Sequence, residues 1–242
     1  MFATGNARER RPNDRRTRQR LVEAAAEMFV QHGFRNARVR DICRRARANV
    51  AAVNYHFGGK QRLYAAVLQH AYFSLPGTDS RSLLSDETRP EARLQTIIRL
   101  FLIQLLSGGR GTLYVKLIVR EMFEPTRAMA GLVDKGFRPQ TQALLDIARQ
   151  LLGKRATDGR VRRCASSILG QCLYYHFARP AITRLDLERM ERPDINGLTR
   201  HITDFTLGAL QHLASPSAKP PGTLRARTPH QRFAKGETNH EL

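Results

Sequence analysis

Cysteine is scarce in this 242-residue sequence: Cys43, Cys164 and Cys172 are the only three, and no C-x-x-C spacing links them. An odd, scattered set excludes a disulfide framework and favours a reducing compartment. Long apolar runs are missing as well. No stretch of 18 or more apolar residues exists and the N-terminus is charged, without the apolar core of a signal peptide, so a soluble cytoplasmic protein with no membrane partner is expected. No segment alternates apolar and polar residues with the period of a strand, which points to an all-α fold. The glycine cluster Ser107-Gly108-Gly109-Arg110-Gly111 lacks the preceding strand and the G-K-[ST] ending of a phosphate cradle, and reads as a loop. No acid-base or nucleophile constellation stands out, so the expectation is a protein that is no enzyme and needs no cofactor or metal. Acidic residues are few, 21 Asp plus Glu against 41 Lys plus Arg, for a formal net charge of +20.

That positive charge is uneven. The first 62 residues hold 15 Lys plus Arg and 5 Asp plus Glu. A polyanion is the partner such a concentration suits, because neutralised phosphates release counterions. The hydrophobic content of 41% is enough for a substantial core.

The most informative stretch runs from Val39 to Lys60, VRDICRRARANVAAVNYHFGGK. Val39, Ile42, Cys43 and Ala46 fall at i, i+3, i+4 and i+7, one apolar stripe of a short helix. Arg47-Ala48-Asn49 follows, and Asn49 suits an N-cap, since its side-chain oxygen can accept from an orphan amide of the next turn. A second helix starts at Val50; Val50, Val53 and Phe57 (i, i+3, i+7) are expected to face the first, leaving Ala51, Ala52, Asn54, Tyr55 and His56 on the other side or its flanks. Gly58-Gly59 ends it with the positive φ of a C-terminal cap. Two short helices across a tight turn make a helix-turn-helix, whose second helix enters the major groove.

These residues resemble a known family. Tyr55-His56-Phe57, then Lys60 and an apolar helix with Leu63, is similar to the YxHF-xx-K-xx-L signature of the TetR/AcrR transcriptional regulators, and the string Asn49 to Lys60 resembles the branch that includes CecR-like repressors. The resemblance is dense over residues 17–68; Arg120-Glu121-Met122 with Pro125-Thr126, and Gln171 to Phe177, resemble that branch's C-terminal domain more loosely. Two positions depart from the pattern. Arg38 stands where the family usually has Thr at the start of the first helix, and Arg47 where the turn usually has Gly. Arginine in left-handed geometry costs about 1 kcal/mol or more, which a phosphate contact can offset.

In chain order, residues 1–14 read as a basic, disordered arm. Residues 15–74 read as the DNA-binding domain, 75–214 as a helical domain for effector binding and dimerisation, and 215–242 as a disordered basic tail. The first helix is expected from Asp14 or Thr17 to about His32, buried through Leu21, Val22, Ala25, Phe29 and Val30 and closed by Gly33. Lys60 opens a fourth helix with Leu63, Tyr64, Val67, Leu68 and Ala71. A polar, turn-rich segment from Leu75 to Pro90 follows. Further helices are expected over 91–106, 112–124 (Val115, Ile118, Val119, Met122 and Phe123 inward), 128–152 with a break at Gly136 to Pro139, 161–177 and 195–213.

The expected contact set for a double-stranded DNA operator is Arg16, Thr17, Arg38, Arg40, Asn49, Ala51, Ala52, Asn54, Tyr55, His56 and Lys60. Asn54 can bond adenine bidentately, Ala51 and Ala52 can touch a thymine methyl, and His56 or Tyr55 can donate to a base edge or phosphate. The resemblance implies phosphate contacts for Tyr55 and Lys60. Lys116, Arg120, Glu121 and Glu124 on an otherwise apolar helix form a solvated face, or, as the resemblance implies, Arg120 or Glu121 points into a cavity for an unknown small-molecule effector. Gln104, Met122, Gln171, Tyr174 and Tyr175 are its expected neighbours. Cys172 and His176 at i, i+4 lack a third ligand, so a core or interface role is favoured over metal. Apolar stripes through Val161, Ala165, Ile168, Leu169 and Cys172, and through Ile202, Phe205, Leu207, Ala209 and Leu210, suggest a homodimer through the two C-terminal helices, which a two-fold operator requires. The expected function is an effector-responsive repressor on a pseudo-palindromic operator. An architectural DNA-binding dimer without an effector is the alternative.

Overall fold

The structure is a computed structural model that describes residues 7–76, 89–106, 108–185 and 193–215. Among these residues it is all-α, with no strand. Eleven helices are described: α1 (Ala7–Asn36), α2 (Val39–Arg45), α3 (Ala51–Phe57), α4 (Lys60–Phe73), α5 (Pro90–Leu106), α6 (Arg110–Phe123), α7 (Met129–Leu132), α8 (Arg138–Leu152), α9 (Asp158–Phe177), α10 (Arg179–Arg184) and α11 (Ile195–Ala214). A π-helical turn, Val133–Phe137, joins α7 to α8. The expected tail beyond residue 215 and most of the 75–90 segment lie outside the described residues.

Of the expected core of the first helix, Leu21, Val22, Ala25 and Phe29 are each at most 1% exposed, while Val30 is half-buried. Gly33 leaves the helix at φ 74°, ψ 169°, where the expected stop falls. The start is corrected. The helix begins at Ala7, so residues 7–14 form its first turns instead of an arm; Arg8 to Arg11 are good helix formers, and Pro12 forfeits a single backbone bond this close to the end.

Helices α1, α2, α3 and α4 enclose the first core, which extends beyond residue 74. Tyr114, Val115, Leu117 and Ile118 of α6, with Leu132 of α7, belong to the same apolar cluster. Helix α4 is the shared element: Leu63, Tyr64, Val67, Leu68, Ala71 and Tyr72 are all buried, each leucine contributing about 1.5–3 kcal/mol. The second core packs α5 against α8, α9 and α11 through Leu94, Ile98, Leu102, Leu144, Ile147, Ile168 and Ile202.

Three further expectations are corrected. The anticipated break at Gly136 to Pro139 is the wide π turn; there Tyr72 Oη donates to the Gly136 carbonyl at 2.9 Å, and a Cβ on Gly136 would meet the Tyr72 ring at 3.1 Å. Phe123 is 72% exposed instead of inward, and Met122, although it lines a cavity, is 47% exposed. Val161, Ala165, Ile168, Cys172, Ile202 and Leu210 are buried within their own chain, so that part of the two stripes serves the monomer core; Phe205 and Ala209 of the second stripe stay exposed, beside Ser166, Ser167, Gly170, Tyr174 and Gly208 on the outer faces of α9 and α11.

Candidate nucleic-acid interface and effector cavity

The recognition element is set by local chemistry. Arg38 begins α2 in extended geometry without a side-chain cap, the consequence of losing a hydroxyl there. Arg47 adopts φ 50°, the one non-glycine residue with positive φ among the described residues, as the turn position predicts. Two residues on, the Asn49 Oδ1 accepts from the Ala51 amide at 2.9 Å, the expected cap. Gly58 and Gly59 close α3 at φ 70° and 120°.

Val53 and Phe57 are buried against the first core, whereas Val50 is 46% exposed; Cβ bonds tilt toward the helix N-terminus, so a first-turn side chain projects past the packed surface. Ala51, Asn54 and Tyr55 are exposed and Ala52 is half-buried. Seven residues at 1.5 Å each span roughly 10 Å, which fits a major groove about 12 Å wide.

His56 departs from the expected outward position. Its side chain is only 9% exposed and its Nε2 lies 4.0 Å from Asp14 Oδ1, while the Tyr55 hydroxyl donates to Asp14 Oδ2 at 3.3 Å. Asp14, which the sequence reading left out of the site, thus links α1 to the end of α3. Its acidic character among arginines was the available signal.

Basic groups rim the face. Arg16, Arg38 and Arg40 are exposed, and Arg20 donates to Thr17 Oγ1 at 3.3 Å. The Arg18 guanidinium lies 5.1 Å from the Phe57 ring centroid. Lys60 Nζ donates to the Arg35 carbonyl at 3.0 Å and sits 5.0 Å from the Phe34 ring centroid. Partial burial lowers the Lys60 pKa from the ordinary lysine value, and an ammonium with three donors keeps others for an anion.

Two cavities adjoin α6 and bear on an effector. One, of about 220 Å³, is lined by Tyr72 of α4 and Leu75 just after it, Phe101, Gln104 and Leu105 of α5, Val115, Ile118, Val119 and Met122 of α6, Phe137, Gln140 and Thr141 around the start of α8, and Leu169, Cys172 and Leu173 of α9. Gln104 Nε2 donates to the Pro76 carbonyl at 2.7 Å. Burial pushes the Cys172 thiol up to about 12, whereas His176, one turn away, places Nδ1 2.9 Å from the Leu105 carbonyl. Of the expected effector contacts, Gln104 and Met122 line this cavity; Arg120, Glu121, Gln171, Tyr174 and Tyr175 do not. Each residue turns about 100° around a helix, which takes Glu121 away from the face bearing Ile118 and Met122. Gln171 points to Thr206 Oγ1 at 3.4 Å, and Tyr174 is 52% exposed. The sequence reading missed Gln140, whose signal was a polar residue three positions after Phe137 and four before Leu144, in the apolar phase of the helix.

Glu121 is fully buried where α6 meets α4. Its Oε2 accepts from Tyr64 Oη at 2.9 Å, and its Oε1 accepts from the Thr126 amide and hydroxyl at 2.8 and 2.9 Å. Burial and this carboxylate raise the Tyr64 phenol pKa. Arg120 reaches the Val30 carbonyl at 3.4 Å and the Glu124 carboxylate at 3.7 Å, beside a polar cleft of about 530 Å³ lined by His32, Gly33, Arg35, Glu124 and Thr126. That cleft is larger but lined by charged groups; the smaller one, lined mainly by apolar and aromatic side chains, has the character of a small-molecule site.

This fold and this site define a helix-turn-helix DNA-binding protein. Residues 21–67 match the bacterial regulatory proteins of the tetR family, and residues 90–210 match the C-terminal domain of the HTH-type transcriptional dual regulator CecR. The chain therefore belongs to the TetR family of transcriptional regulators. It is 26% identical over 189 residues to CecR of Shigella flexneri, covering 72% of this chain and 84% of that protein. Against the transcriptional repressor NicS of Pseudomonas putida it is 32% identical over 83 residues, 34% of this chain and 39% of that one. AibR, solved in complex with isovaleryl coenzyme A and operator DNA, shares the fold with a TM-score of 0.55 at 18% identity, over 80% of this chain and 97% of that chain. No helix among the described residues is long and apolar enough to cross a membrane.

Proposed function

We propose that the chain is a cytoplasmic repressor, without enzymatic activity, that holds a pseudo-palindromic operator as a homodimer and is released by a small uncharged effector. Residues 15–74 bind the operator and residues 75–214 hold the effector and the second copy. The observation that carries this reading is the position of α6: one face walls the apolar cavity through Val115, Ile118 and Met122, and another holds Tyr64 of α4 through Glu121. Helix α4 opens with Lys60, directly after the recognition helix.

The mechanism is a population shift. An effector that fits the cavity better when α6 has moved favours a state with displaced α4, and so weakens the operator by its ratio of affinities for the two states. Couplings of this kind amount to about 5–150-fold. Asn54, Ala51 and Ala52 read bases, while Tyr55, Lys60, Arg16, Thr17, Arg38 and Arg40 position the phosphates. The small and aromatic residues on the outer faces of α9 and α11 suit close helix packing between copies, and a solved structure of the same fold contains both a ligand and operator DNA. Selection of bound sequences from random DNA with the full chain, at two salt concentrations, tests the reading. The expected result is a two-fold symmetric motif whose affinity falls steeply with salt.

A further inference from the structure

Helix α1 runs past the edge of the first core. Its buried line, followed backward in steps of three and four residues, passes Phe29, Ala25 and Val22, each at most 1% exposed, and then reaches Arg18, Asp14 and Arg11. The line thus changes from apolar to charged while the helix itself continues back to Ala7. Charged residues in the core-facing phase of a helix mark the point where it has left the core, and their partner is polar or ionic.

The contacts at the change-over lie beside the recognition helix. Asp14 Oδ2 accepts from the Tyr55 hydroxyl at 3.3 Å and its Oδ1 lies 4.0 Å from His56 Nε2, while the Arg18 guanidinium is 5.1 Å from the Phe57 ring centroid. Tyr55 is 74% exposed at the C-terminal end of α3. From Asp14 back to Ala7 the helix advances seven steps of 1.5 Å, roughly 10 Å beyond that end. Between Ala7 and Arg20 it carries seven arginines against two carboxylates, Glu9 and Asp14. Asp14 is engaged with α3, and Glu9 falls in helical register on the side opposite Arg11. Arg8, Arg10 and Arg11 therefore continue the basic rim next to the DNA-reading face. Phosphates of one strand follow each other about every 3.4 Å along the duplex axis, so this length of helix spans about three of them.

We propose that the first two turns of α1, through Arg8, Arg10 and Arg11, bind backbone phosphates of the duplex just outside the half-site that α3 reads. Each protomer then holds a longer stretch of DNA than its helix-turn-helix alone, and the added contact carries affinity without sequence preference. This deepens the operator reading above and rests on it for the placement of α3 against bases.

The test uses the full chain, a variant combining Arg8→Ala, Arg10→Ala and Arg11→Ala, and a second combining Arg8→Lys, Arg10→Lys and Arg11→Lys. Alanine and lysine are both good helix formers, and circular dichroism verifies the fold of each variant. Fluorescence anisotropy over a range of salt is read on the selected operator without flanks and with flanks of about six base pairs at each end, roughly twice the three that the helix spans. The alanine variant should shallow the slope of log affinity against log salt by about two for each half-site and lose the affinity that flanks add to the native chain, with base preference unchanged. The lysine variant should keep both. A salt slope and a flank dependence that match the native chain in the alanine variant, or a loss confined to particular base pairs, overturn the proposal and leave the operator reading standing. If selection recovers no symmetric site, the operator reading falls, and the salt slopes of the same proteins on an unselected duplex decide the phosphate contact by themselves. No binding of any duplex by the native chain overturns both.

Discussion

Tyr64 of α4 donates a 2.9 Å hydrogen bond to Glu121 of α6, joining residues 57 positions apart inside a buried contact. The carboxylate also holds the Thr126 amide and hydroxyl, so both of its oxygens are engaged. Removing it leaves three donors without this acceptor, the buried Tyr64 hydroxyl and two on the part-buried Thr126. Glu121→Ala should therefore destabilise the chain by about 2–5 kcal/mol, since each orphaned donor costs about 1–3 kcal/mol and local rearrangement recovers part. Tyr64→Phe, which deletes one partner cleanly, should cost about 1–2 kcal/mol. Urea unfolding of the two variants and the double variant gives the coupling; an additive double variant would mean that the contact carries no energy of its own.

Gly33 stands where α1 ends at φ 74°, and a Cβ there would approach Arg120 Nη2 to 2.5 Å. Gly33→Ala should lose about 1–2 kcal/mol from the left-handed backbone alone, and more from displacing the guanidinium. Combining it with Arg120→Ala should recover the steric part and leave the backbone part. Thermal unfolding of the single and double variants separates the two contributions.

Arg47 occupies φ 50°, a geometry that favours glycine. Arg47→Gly should stabilise the free protein by about 0.5–1 kcal/mol in urea unfolding, after the greater entropy of glycine in the unfolded chain is set against the relieved strain. The same substitution should lower the slope of log affinity against log salt by about one if the arginine meets a phosphate.

Lys60 and Asn54 should behave differently. Lys60→Ala is expected to weaken binding about equally for all DNA sequences and to shallow the salt slope by about one, whereas Asn54→Ala should reduce discrimination at one base pair by about 1–3 kcal/mol. Competition anisotropy against a panel of single-base operator variants distinguishes a uniform loss from a positional one.

The helix-turn-helix was legible because its determinants are local: an apolar stripe over one short helix, a cap at Asn49, paired glycines at its end and an arginine at the left-handed turn position. Helix α6 was harder to read. It lies between two cores, so apolar residues occupy most of its circumference, and periodicity alone does not say that Glu121 turns to α4 while Ile118 and Met122 face the cavity. The inward turn of the His56 side chain has a related origin. That side chain lies beside Asp14, distant in sequence and on α1. Much of the apolar stripes of α9 and α11 serves the monomer core while Phe205 and Ala209 stay exposed, since a buried face looks the same in sequence whichever chain covers it.

The central claim is that the exposed face of α3, with Asn54 at its middle, lies against base pairs. Footprinting with the full chain at moderate ionic strength, on the sequence recovered by random selection, tests it most directly. The account predicts a two-fold symmetric protected region that Asn54→Ala loses or shifts in preference while the variant remains folded. Protection that is absent, or identical for the native chain and the variant on every sequence tried, contradicts it.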